Sequence, residues 1–139
     1  MKKIDTLIRL HKFELDEKRR ALQELETHMM RIIEARQRLD QELIEEQNTA
    51  SQALELGMTY AGYAQKFIER RAKLEEDIAN MRVEVEKAEI IVQMAFQELK
   101  KFEITAERQA AAEKYESDRR EQSELDEAGI NRHHRKNKD

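Results

Sequence analysis

Across 139 residues there is no proline or cysteine and only three glycines; charged residues make up 40% of the chain and aromatics 5%. A globular core of this length uses more large apolar residues, so the composition points to the long-helix or coiled-coil class. The absence of cysteine excludes a disulfide framework and thiolate chemistry. A net charge of −4, with the two signs interspersed, fits a solvated helix surface rather than a nucleic-acid or membrane footprint.

The first element is a helix expected over residues 4–56. Steps of three and four residues pick out a heptad seam from Ile4, Ile8, His11 and Leu15 through Leu22, Leu25, Met29, Ile32, Leu39 and Leu43 to Ala53, with polar breaks at Lys18, Arg36 and Glu46. Its opening, MKKIDTLIRLHKFELDE, lacks the uninterrupted apolar core of a signal peptide. No stretch of the chain approaches the roughly 20 apolar residues of a membrane span. The expectation is a soluble, cytoplasmic protein.

GMTYAG, residues 57–62, interrupts the seam and reads as a tight turn, since glycine commonly ends a helix. Tyr60, Tyr63 and Phe67 cluster here. They either cap the hairpin or offer an aromatic anchor to a partner.

A second helix is expected over residues 63–117. Its seam runs Phe67, Arg71, Leu74, Ile78, Met81, Val85, Ala88, Val92, Ala95, Leu99, Phe102 and Ala106, with Arg71 its one polar member. Two seams of similar length around a short turn predict an all-α fold: a long antiparallel two-helix coiled-coil hairpin. A turn near residue 58 sets Leu43 opposite Leu74, Leu39 opposite Ile78 and Ile32 opposite Val85, with Glu46 neutralising Arg71. Residues beyond about 117 then have no partner in the first helix. EQSELDEAGINR therefore reads as an overhang, 118–128, ended by Gly129, and residues 129–139 as a basic, flexible, disordered tail.

No arrangement for catalysis is visible. Two helices enclose no cleft to perturb a carboxylate, the three glycines are isolated rather than forming a phosphate loop, and adjacent His133 and His134 have no third ligand nearby. The sequence predicts neither an enzyme, a metal site nor a cofactor. The small basic tail without interleaved aromatics does not predict nucleic-acid binding.

Three segments carry a family resemblance: IDTLIRLHKFELDEKRRAL at the start, YAQKFIERRAKLEEDI opening the second helix, and Glu121, Gln122, Glu124, Leu125, Asp126, Glu127, Ala128 and Arg132 near the end. With the length and the two-helix pattern, they resemble the FliJ family of the flagellar type III export apparatus. The resemblance implies a stalk-like coiled coil whose partners are a hexameric export ATPase, an export-gate membrane protein and, in an escort role, export chaperones. It implies that Ile4, Leu7, Ile8, Leu125, Asp126 and Glu127 lie at the ATPase end, and that Phe67, Leu74 and Ile78 lie in the gate-binding body. Membrane association is expected only through protein partners, at the inner face of the plasma membrane. Two alternatives share the pattern: the stalk of a virulence-type secretion system, and a self-associating structural coiled coil.

Overall fold

A computed structural model describes residues 2–53 and 60–138, with side chains over 2–49 and 62–137. There are two described helices, α1 (Lys3–Ala53) and α2 (Tyr60–Lys138), and the chain reverses between them to form a helical hairpin. α1 starts where the N–H groups of Asp5 and Thr6 both donate to the carbonyl of Lys2, at 3.1 and 3.4 Å. Asp5 places a carboxylate in the first turn, where the free N–H groups favour negative charge.

The seams form the core as the heptad pattern predicts. All twelve α2 positions from Phe67 to Ala106 are buried or half-buried, and in α1 only Lys18 and Glu46 among the described seam positions are exposed. The chain packs as two compact units. In residues 13–96 the buried side chains are Leu15, Leu39, Phe67, Ile78 and Val85; in residues 1–12 with 97–139 the buried one is Leu99. Two helices alone cannot enclose a side chain fully, and even Leu39 and Ile78 keep 3% of their surface exposed.

Three expectations are corrected. Tyr60, Ala61 and Gly62 already belong to α2 rather than to the turn, while the rest of the expected turn and residues 54–56 of the first helix lie outside the described residues. The second helix does not stop near 117, nor at Gly129, but continues to Lys138. Nothing lies within 4 Å of a Cβ built on Gly129, and a lone glycine costs a helix only about 1 kcal/mol relative to alanine. Beyond it, Arg132, Arg135 and Lys136 bring positive charge to the helix C-terminus, where the exposed carbonyls favour it.

The register also differs. Leu39 lines one groove with Leu74 rather than Ile78, and Arg71 pairs with Asp40 rather than Glu46. The offset is between four and six residues. In the other unit every residue from Glu107 to Asn137 is exposed, and within that stretch Glu113 still pairs with Lys2.

The packing predicts a contrast. Ile78→Ala removes a seam side chain and is expected to cost about 2–3 kcal/mol. Leu125→Ala, on a residue 67% exposed, should stay within about 0.5 kcal/mol. Urea unfolding followed by circular dichroism measures both, and similar losses for the two would contradict this account of the core.

Candidate functional site

In residues 13–96, both helices place an arginine in the seam, Arg36 on α1 and Arg71 on α2. An arginine in an apolar seam needs a carboxylate partner, because its charge is costly to leave unpaired there. Each finds one on the opposite helix: Arg36 Nη1 donates to Glu75 Oε1 at 3.0 Å, and Arg71 Nε donates to Asp40 Oδ1 at 2.9 Å. Arg71 Nη1 also lies 3.6 Å from Glu75 Oε1, joining the two pairs into one network. The hydrogen bond to Asp40, then the charges of Asp40 and Glu75, hold the Arg71 guanidinium protonated above even the usual arginine range. A raised value means that this contribution is complete at every pH below that range and fades only above it.

Sequence reasoning missed this network by choosing Glu46 as the partner of Arg71. The signal was a repeated spacing: Arg36 and Arg71 are each followed four residues later by an acid, Asp40 and Glu75. On antiparallel helices such a pair of motifs exchanges partners across the seam.

The predicted contact residues of the body fall in different environments. Phe67 and Ile78 are buried, Leu74 and Tyr63 are half-buried, and the Tyr60 side chain lies outside the described residues. Exposed apolar side chains lie elsewhere: Met30, Ile44 and Ile68 on one face, and Val83, Ile90 and Met94 along the outer side of α2.

In the other unit, residues 1–12 pack along the segment of α2 that starts at 97. The His11 ring stacks on Phe102 with centroids 4.5 Å apart and planes 18° from parallel, and Lys2 pairs with Glu113. Ile4 and Ile8 are half-buried and Leu7 is exposed. Leu125, Asp126 and Glu127 are not brought to them. Leu125 lies twelve residues past Glu113, about 18 Å along the helix. The free-standing segment is braced locally, with Arg120 and Glu116 at 3.5 Å, Gln122 Nε2 donating to Asp126 Oδ1 at 3.1 Å, and Asn137 and His133 in contact at 3.3 Å. It exposes Tyr115, Leu125 and Ile130, each by two-thirds or more.

Among the described residues, no group of three or more His, Asp or Glu is placed to hold a metal ion, and no helix is long and apolar enough to cross a membrane. Two helix surfaces stand out: an exposed charged helix in one unit and a mixed apolar and ionic face in the other. Comparison with known families matches the flagellar FliJ protein model over residues 1–138.

The chain belongs to the FliJ family. Membership makes it a component of the flagellar protein export apparatus, in a family of structural rather than catalytic proteins. No individually curated protein and no solved structure matched the chain.

The register assigned by these ion pairs is testable by crosslinking, because the chain contains no cysteine of its own. A short thiol-reactive linker should join Asp40→Cys to Arg71→Cys and leave Glu46→Cys with Arg71→Cys unjoined. The reverse pattern would restore the register inferred from the seam alone.

Proposed function

We propose that this FliJ-family chain is a non-enzymatic stalk of the flagellar type III export machine. It engages the hexameric export ATPase through the end formed by the start of α1 and the overhang of α2, and links that ATPase to the export gate through the hairpin body. Export chaperones are met in an escort role, and the chain works at the cytoplasmic face of the membrane through its protein partners.

The observation that supports this reading is the exposed helix over residues 107–137. Beyond Glu113, the residue that Lys2 meets, about 36 Å of exposed helix runs on to Asn137 at 1.5 Å per residue, and a helix left to itself in water is marginal. Such a segment is suited to a polar, ring-shaped enclosure. It offers isolated apolar anchors, Tyr115, Leu125 and Ile130, on a background of both charge signs. Dispersed charges steer encounters and favour exchangeable contact over permanent docking. Leu125, Asp126 and Glu127 then act as surface contacts, with Ile4 and Ile8 fixing the start of α1 beside α2. In the body, buried Phe67 and Ile78 act by holding the hairpin together, and half-buried Leu74 and Tyr63 contribute at its edge.

ATP hydrolysis by the export ATPase of the same organism tests the reading. Full-length chain should stimulate turnover, and a truncation lacking residues 118–139 should lose most of that stimulation while keeping the hairpin's helical melt. Equal stimulation by both forms would remove the overhang from the interface, and no stimulation by either would sink the stalk assignment.

A further inference from the structure

One face of the unit formed by residues 13–96 is built like half of a symmetric interface. Stepping by three and four residues beside the seam of α1 gives Met30, Ile33, Gln37, Asp40 and Ile44; the matching stripe of α2 gives Ile68, Ala72, Glu75, Ala79 and Arg82. Residues at these spacings share one side of a helix. The pairs Arg71–Asp40 and Arg36–Glu75 fix which residues stand level across the hairpin. Ile44, four after Asp40, stands level with Ile68, three before Arg71. Ile33, three before Arg36, stands level with Ala79, four after Glu75. The face is thus apolar at the end of Ile44 and Ile68, ionic in the middle, and mixed at the other end, where Arg82 stands level with Met30. Met30, Ile44 and Ile68 are each more than half exposed, and Ile33 is half-buried.

We propose that this face takes a second copy of the chain. A two-fold axis running along the helices lays the α1 stripe of each copy on the α2 stripe of the other, the isologous arrangement in which each contact occurs twice. Ile44 then meets Ile68 of the partner copy, and Ile33, a large side chain, meets the small Ala79. Asp40 comes to Arg71 and Gln37 to Glu75, so the ionic centre meets a complementary array. The charges of Arg36, Asp40, Arg71 and Glu75 cancel. An already paired network is the kind that an interface covers without stranding its charges. A copy of the same chain supplies the complementary order by symmetry.

Size sets the strength. A face two helices wide, roughly 20 Å, and about 21 Å long from residue 30 to 44 covers roughly 400 Å² per copy. That is roughly 800 Å² in total, well below the ~1,600 Å² of a standard stable interface. The dimer is therefore weak and concentration-dependent, a form of the free chain that yields to other contacts.

Sedimentation equilibrium of the full-length chain from micromolar to several hundred micromolar tests the pairing. The mass is expected to rise from 16.6 kDa toward twice that value. Ile44→Glu and Ile68→Glu, both at exposed positions, should each weaken association about tenfold or more with the helical circular dichroism unchanged. Ile90→Glu on the outer side of α2 should leave association intact. A single-chain mass at all concentrations would overturn the proposal and leave the face to another protein. A dimer that survives both isoleucine substitutions, or that Ile90→Glu dissolves, would overturn it equally.

Discussion

The two arginines of the seam constrain this fold more than any single leucine does. A heptad seam is nearly degenerate: sliding one helix by seven residues again sets aliphatic against aliphatic, with little change in the area buried. Arg36 and Arg71 break that degeneracy. In the observed register both reach carboxylates on the opposite helix, at 3.0 and 2.9 Å. In the register that sets Arg71 opposite Glu46, Arg36 faces Met81 and stands beside Arg82, so one seam arginine loses its carboxylate and gains a like charge. Each pair is partly exposed and contributes only modestly, but two satisfied arginines favour the observed register over one.

Much of the fold was legible because heptad periodicity survives in every described seam position but Lys18 and Glu46. Register was not, because apolar periodicity carries no information about which heptad faces which; it lay in the polar residues beside the seam, Asp40 and Glu75, which the seam pattern passes over. The extent of α2 was misread at Gly129 for a similar reason. Glycine is a stop signal when the chain must turn, but here nothing crowds it and no turn follows, while the cationic residues after it suit a helix end. The candidate contacts were legible as residue types and not as surfaces. Phe67 and Ile78 look like anchors in a sequence and are buried in the hairpin, whereas Ile44 and Ile68, one step off the seam, carry the exposed apolar area.

The two helix surfaces suit different kinds of partner. Residues 114–137 extend past the contact of Lys2 with Glu113, so their order rests on local pairs such as Glu116–Arg120 and on favourable end charges, each worth only tenths of a kcal/mol. Binding there must supply the remaining order, and that entropy cost keeps affinity moderate however well the side chains fit. The face around Asp40 and Arg71 is pre-organised by the seam beneath it and loses little entropy on association, but it is small. Limited area on a rigid face and ordering cost on an uncovered helix both lead to weak, reversible contact. A component that must hand over between partners needs that property more than a tight interface, and in this chain it follows from two helices too few to build anything larger.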